Sequence, residues 1–199
     1  MLVLGNIRRL DFHGGILVDG FCSLADAIRK ELLHFPHWKI MRLGTAANHA
    51  FQTAITTGHI QGRLPELVLC HRFAQELSGV GQAIAGAVGN PSPNPLHVDM
   101  SGMAYGQGGR LKLHTDSILE RRAAWMLYLT HPEDGEWTAA DGGALVLSTA
   151  EGREQRIYPR FNRFVSFRVS DASRHAILPI LKPTPWERCR LALSGWLHE

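Results

Sequence analysis

Apolar positions along the chain change their rhythm near residue 90. Before it, residues 14–20 (GGILVDG) set a short apolar run between glycines, which predicts an early strand. Residues 23–35 place Leu24, Ala27, Ile28, Leu32 and Leu33 on one helical face behind Ser23, a residue type suited to a helix N-cap. Residues 64–88 form a second helical stretch, with Pro65 near its start and Gly79 and Gly81 as points where it can divide in two. The His- and Thr-rich connection 44–62 shows no periodicity that assigns it an element.

Beyond the turn-rich break at 89–95 (GNPSPNP) the pattern becomes a series of short runs with strand character: HVDMSGMAY, RLKLHTD, AAWMLYLT, GALVLST, REQRIYP, RFVSFRV, RHAILPIL and RCRLALSGWL. Each is bounded by Gly, Pro, Asn or Asp. Strands at this spacing suit a double-sheet jelly roll, or double-stranded β-helix, braced on one sheet by the earlier helices. The expected architecture is mainly β with flanking α. Residues 1–95 form a helical and strand support region and residues 96–199 the jelly-roll core, all within one domain.

Composition narrows the classes. No apolar run reaches the length of a membrane span, and MLVLGNIRRL lacks the layout of a secretory signal, so the cytoplasm is the default compartment. Net charge is only +3 with scattered arginines, which disfavours a nucleic-acid binder. Cys22, Cys70 and Cys189 are far apart and odd in number, and read as buried free thiols. Nothing in the chain fixes an oligomeric state.

Within the strand series stands Leu113-His114-Thr115-Asp116. Alternate side chains of an extended chain share a face, so His114 and Asp116 can address one metal ion. A third ligand must come from another strand, and His175 in Ser173-Arg174-His175 offers it. Two imidazoles and one carboxylate on one face of an octahedron leave positions open for substrates, the arrangement of non-haem Fe(II) oxygenases. A second pair of the same spacing, His97-Val98-Asp99, has no accompanying third ligand and reads as a strand leading into the site.

The ordered set Tyr105, His114-Thr115-Asp116, Tyr128-Leu129, Gly142-Gly143-Ala144-Leu145, Asn162-Arg163-Phe164-Val165-Ser166-Phe167, His175, and Arg190 six residues before Trp196 resembles the catalytic domain of Fe(II)/2-oxoglutarate dioxygenases of the prolyl 4-hydroxylase-like branch. The resemblance covers about half of the chain. It implies that His114, Asp116 and His175 bind Fe(II), and that Arg190 pairs with the far carboxylate of 2-oxoglutarate, for which a guanidinium fork is well shaped. It also places Tyr128 and Tyr105 beside the cosubstrate. Arg188, two residues earlier on the same strand face, is the rival for the Arg190 role. A stretch between His175 and Arg190 (AILPILKPTPWERC) is longer than the family commonly carries.

The resemblance implies an enzyme that uses Fe(II), 2-oxoglutarate and O2 to hydroxylate an unactivated C–H bond. Asp116 argues against the related halogenases, which lack that carboxylate. Trp196 stands where the nucleic-acid demethylases of the superfamily carry a second arginine. The expected partner is a small molecule, such as an amino acid or natural-product intermediate. A peptide or protein proline is the alternative, and a non-catalytic jelly-roll binding module the second.

Overall fold

Residues 190–198 form the strand on which the larger sheet is centred, and their alternation shows how the molecule is layered. Leu191, Leu193 and Leu197 join the core beneath the helices, whereas Arg190, Ser194 and Trp196 point between two sheets. The computed structural model describes residues 1–36, 38–41, 50–53, 66–118 and 120–199. In chain order the elements are β1 (Arg8–Arg9), β2 (Ile16–Asp19), α1 (Ala25–His34), β3 (Lys39–Met41), β4 (Ala50–Thr53), α2 (Val68–Ala87), β5 (His97–Tyr105), β6 (Leu111–His114), β7 (Arg121–Tyr128), β8 (Leu145–Ser148), β9 (Glu154–Ile157), β10 (Arg163–Arg168), β11 (Arg174–Ile177) and β12 (Arg190–His198).

An eight-stranded sheet runs β1-β2-β10-β7-β12-β5-β4-β3 and a four-stranded sheet runs β6-β11-β8-β9, with every pairing antiparallel. The jelly-roll expectation holds, and each of the eight predicted runs contains a strand. Helices α1 and α2 cover the outer face of the large sheet, burying Ile28, Leu32, Phe73, Leu77 and Ile84 against Val98, Met100, Trp125 and Phe164. No described helix is long and apolar enough to cross a membrane.

Two expectations about the helices are corrected. Ser23 does not cap α1, whose N-cap is Leu24; the Ser23 hydroxyl instead bonds the Met1 amino group and carbonyl. Helix α2 runs unbroken through Gly79 and Gly81. Each glycine costs about 1 kcal/mol in a helix interior, but each fully buried apolar side chain contributes about 1.5–3 kcal/mol, so packing prevails. The first turn of α2 lacks a cap of its own, and Glu31 of α1 supplies one. Its carboxylate accepts from Leu69 N at 2.8 Å and Cys70 N at 2.9 Å, a favourable charge at the positive end of the helix. Pro65 and most of the 44–62 connection lie outside the described residues. Cys22, Cys70 and Cys189 are free and buried.

The Asn-Arg pair at the start of β10 does structural work. Asn162, with φ +57°, bonds both the N–H and the carbonyl of Cys22 through its side-chain amide. Arg163 is 2% exposed. It donates to Asp19 at 2.7 Å, to Glu136 at 2.6 Å and to the Tyr158 carbonyl at 3.0 Å. Burial works against the charged Asp19, but Arg163 outweighs it and holds the carboxyl below its usual range; the Arg163 bond likewise lowers Glu136. Arg163→Ala is expected to cost about 3 kcal/mol, at the low end for a broken buried ion pair because both carboxylates are partly exposed and screened. Carboxylates lowered in the folded state contribute stability above their unfolded values and lose it as pH falls through the folded ones. Urea unfolding should therefore show the gap between wild type and Arg163→Ala widest near neutral pH and shrinking below about pH 4.

Candidate metal centre

The register of the small sheet sets His175 of β11 directly opposite His114 of β6. Their rings lie 4.2 Å apart between centroids. The next pairing is Ile177 with Leu111, two residues along β11 against three along β6, so β6 carries a bulge. In a regular strand, residues three apart face opposite ways; the bulge brings Leu111 and His114 onto the same cavity wall. Asp116, two residues beyond the end of β6, turns back between the rings. Its Oδ2 lies 3.2 Å from His175 Nε2 and its Oδ1 3.6 Å from His114 Nε2. One ligand atom from each of the three residues falls within 4.8 Å of the others, and they are the one such cluster among the described residues.

Both imidazoles are oriented in the same way. His114 Nδ1 meets the Lys112 carbonyl at 2.8 Å and His175 Nδ1 the Ser173 carbonyl at 3.1 Å, in each case two residues back. A carbonyl only accepts, so Nδ1 carries the proton and the Nε2 lone pair faces the common centre. Burial opposes the charge on Asp116, but its contacts with His114 and His175 hold the carboxyl well below the usual range, and it stays ionised. The same Asp116 contact raises His114 above its ordinary value. A carboxylate and two neutral Nε2 donors, partly buried and converging, form a donor set that fits a divalent first-row metal.

Around the centre is a cavity of about 220 Å³, walled by Leu111, Leu145, Phe167 and Ile177, with Ser101 and Ser194 among its polar lining. Tyr105 and Met126 line it too; Tyr128 and Arg190 do not, and Arg190 lies against Met126 and Tyr128. Arg190 is fully buried. Its Nε donates to Gly143 O at 2.7 Å, and its Nη2 lies 3.3 Å from Tyr128 Oη and 3.5 Å from Met126 Sδ. Arg190 Nη1 and Tyr105 Oη have no hydrogen-bond partner, and no carboxylate among the described residues forms an ion pair with Arg190. A buried guanidinium without a counter-anion costs several kcal/mol, so this end of the cavity is suited to an anion with an acceptor for Nη1. Burial pushes Tyr105 up to about 12, with Arg190 partly opposing, and burial likewise raises Tyr128, so both hydroxyls remain donors.

The other sequence candidates separate cleanly. Arg188 is exposed and paired with Asp134 and Glu133 at the surface. Asp99 pairs with His198 at 3.4 Å, and His97 stacks near the same ring, on the outer end of β5. Met126, which lines the cavity, and Arg121, which packs on the lining residue Trp196, were not anticipated. Met126 shares the inward face with Tyr128, two residues away, so alternation along β7 carried its signal. Arg121 had none: its guanidinium stacks 3.5 Å over Trp196 through a cross-strand pairing that passes an irregularity at Leu197/His198.

Comparison with known proteins agrees with this geometry. Residues 100–198 match the family described as the 2OG-Fe(II) oxygenase superfamily. Prolyl 3-hydroxylase OGFOD1 of Xenopus laevis is 36% identical over 107 residues, covering 51% of this chain and 20% of that protein. Prolyl 3,4-dihydroxylase OGFOD1 of Ostreococcus tauri is 34% identical over 109 residues, with the same coverages of 51% and 20%. Among solved structures, a Pseudomonas putida prolyl-4-hydroxylase superposes with a TM-score of 0.69 at 20% identity, covering 94% of each chain. A Trichoplax adhaerens prolyl hydroxylase in complex with a hypoxia inducible factor peptide fragment gives 0.69 at 16% identity, covering 95% of this chain and 85% of that one.

The chain therefore belongs to the 2OG-Fe(II) oxygenase superfamily, whose enzymes use Fe(II), 2-oxoglutarate and O2. In fold it is similar to the prolyl hydroxylase structures described above. It spans about a fifth of the length of the curated relatives it matches. The expectation of a small-molecule partner is overturned: the relatives are named for prolyl hydroxylation, and one structural neighbour holds a peptide.

Partners one shell away from a metal typically change its affinity about 10–100-fold, and loss of a direct ligand should exceed that. Asp116→Ala and His175→Ala should each weaken Zn(II) or Fe(II) binding beyond this range in a chelator-competition titration. Metal requires neutral His114, and the metal-free protein holds a proton there above the ordinary histidine value. Affinity should thus already be falling as pH drops toward about 6.5.

Proposed function

We propose that the protein is an Fe(II)- and 2-oxoglutarate-dependent hydroxylase of prolyl residues in a peptide or protein. The observation that carries the reading is the pairing of two unsatisfied demands at one cavity. At the mouth, two imidazoles and an ionised carboxylate converge on a common point; past the inner end, behind Met126, stands a buried guanidinium that lacks an anion. A 2-oxo diacid answers both. The names of the relatives supply the prolyl substrate.

His114 Nε2, His175 Nε2 and the Asp116 carboxylate would hold the iron, which with 2-oxoglutarate and O2 supplies the oxidising power for C–H hydroxylation. The carbonyls of Lys112 and Ser173, each accepting from Nδ1, keep the Nε2 atoms of the two imidazoles aimed at the metal position. Arg190 Nη1 and the Tyr105 hydroxyl, both partnerless and buried, would bind the far carboxylate of the cosubstrate, with Tyr128 steadying the guanidinium. The apolar walls exclude water from this end of the cavity, which strengthens the charge pairing. At the mouth, the Trp196 face offers an apolar platform for a pyrrolidine ring. Arg121, stacked on the same indole, donates from Nη1 to the Asp116 carbonyl at 3.4 Å and would offer its other N–H groups to main-chain carbonyls of an extended peptide.

The test is aerobic incubation of iron-loaded protein with 2-oxoglutarate and a library of proline-containing peptides. The expected outcome is succinate together with a peptide product sixteen mass units heavier and hydroxyproline on hydrolysis. Succinate without any modified proline would sink the prolyl reading. Arg190→Ala should weaken 2-oxoglutarate binding by about 2–5 kcal/mol, the usual cost of truncating one partner of a desolvated charge pair, and unchanged affinity would remove Arg190 from its role.

A further inference from the structure

The long connection between β11 and β12 is stitched into the closed end of the cavity. Ile180 N donates to Gly109 O at 3.1 Å, and Ile180 O accepts from Gly108 N at 2.8 Å, tying it to the turn after β5. On its other side Gly143 N donates to Pro179 O at 3.1 Å. Gly142, at φ +73°, allows this approach; a Cβ there would lie 2.1 Å from Pro179 O. The Ile180 side chain is 1% exposed and packs with Tyr105, Trp137 and Ile177.

These contacts bear on Arg190. A Cβ built on Gly143 would lie 3.2 Å from each of Arg190 Cδ, Ile180 Cγ1 and Trp137 Cζ3, so all three side chains close on the Gly143 Cα and leave no room there for a side chain. The stem of Arg190 is thus wedged among Ile180, Trp137 and the Gly143 backbone, which also accepts from its Nε. The wedge is latched from outside. Lys182 Nζ sits 3.8 Å over the Trp137 ring and 3.4 Å from both Asp134 and Asp141. Asp134 also binds Arg188, Arg29 of α1 donates to the Glu187 carbonyl, and Trp186 Nε1 donates to Leu33 O at 3.0 Å.

We propose that the 178–188 segment is a depth stop for the cosubstrate, in which Ile180, backed by Trp137 and Lys182, is a positioning residue that selects a five-carbon 2-oxo diacid over its six-carbon homologue. The inference rests on the reading of Arg190 as the diacid anchor. The metal ligands fix one end of the bound diacid and the guanidinium the other. An added methylene can be accommodated only if the guanidinium retreats, and close-packed side chains block that retreat. A shorter diacid leaves Arg190 Nη1 without its acceptor.

The experiment is calorimetric titration of Mn(II)-loaded protein, without oxygen, with 2-oxoglutarate and with 2-oxoadipate. Wild type should prefer 2-oxoglutarate by about tenfold or more, the discrimination that one methylene carries in an apolar pocket. Ile180→Ala should shrink that ratio toward unity, Ile180→Val should shrink it partway, and Ile180→Leu should keep it. Ile84→Ala, a similar truncation under the helices, should leave it unchanged. An unaltered ratio in Ile180→Ala with a cooperative melt, or an equal shift in Ile84→Ala, overturns the depth stop alone. If Ile180→Ala does not fold, Ile180→Val decides by the same ratio. Wild type that binds Mn(II) and neither diacid overturns the Arg190 reading, and the depth stop with it.

Discussion

The pairing of His175 with His114 across two short strands is the constraint on which the rest of the site depends. It brings two imidazoles from residues 61 positions apart to a 4.2 Å ring separation. It fixes both through main-chain carbonyls that are themselves part of the same local strand geometry. The bulge beside this pair has two effects: it keeps Leu111 on the cavity wall, and it ends β6 so that Asp116 can turn inward. An anionic carboxylate amid apolar walls then remains charged because the imidazoles hold it so. The centre is over-determined by backbone, which is how a site on a four-residue strand can be rigid.

Much of this was legible in the sequence because the information was local. Strands β5 to β12 announced themselves by alternation and by turn residues at their ends. His114 and Asp116 were readable as a pair through their spacing, whereas His175 was one candidate on a later strand until a resemblance supplied order along the chain. What escaped was what the tertiary structure decides. The two-residue β1 and the short β3 and β4 are too brief to carry a pattern. Ser23 had the right chemistry for a cap but found partners in Met1, whereas the cap that matters on α2 comes from Glu31, 38 residues before Leu69. The glycines of α2 look like breaks in one dimension and vanish into a packed face in three. Arg188 and Arg190 are two apart and alike in sequence, yet one ends at the surface and the other in the core.

The buried positive charge explains why the inner end of the cavity is built as it is. An isolated guanidinium would be costly there, and the protein compensates it only partially, with a carbonyl, a phenol and a sulfur. None of these carries a full negative charge, so the deficit is a standing preference for an anionic ligand. Met126 has the flexible, polarisable side chain suited to lie against that charge when no carboxylate does. The outer end follows a different logic, with an indole that lines the cavity and an arginine stacked on it. The names of the relatives replace the small-molecule expectation.

Strand β12 has a consequence for assembly. It lies between β7 and β5 in the large sheet and is the last strand in chain order. Until it docks, β1, β2, β10 and β7 can pair on one side and β5, β4 and β3 on the other, with no main-chain ladder joining them. Closing the sheet therefore waits for a nine-residue segment whose partners lie from 64 residues (Ala192 with Tyr128) to 101 residues (His198 with His97) earlier in the chain. Such non-local closure makes for slow folding and leaves two half-sheets with open edges exposed to other chains in the interval. The same insertion delivers Arg190 and Trp196 together, so completion of the fold and completion of the anion pocket are one event.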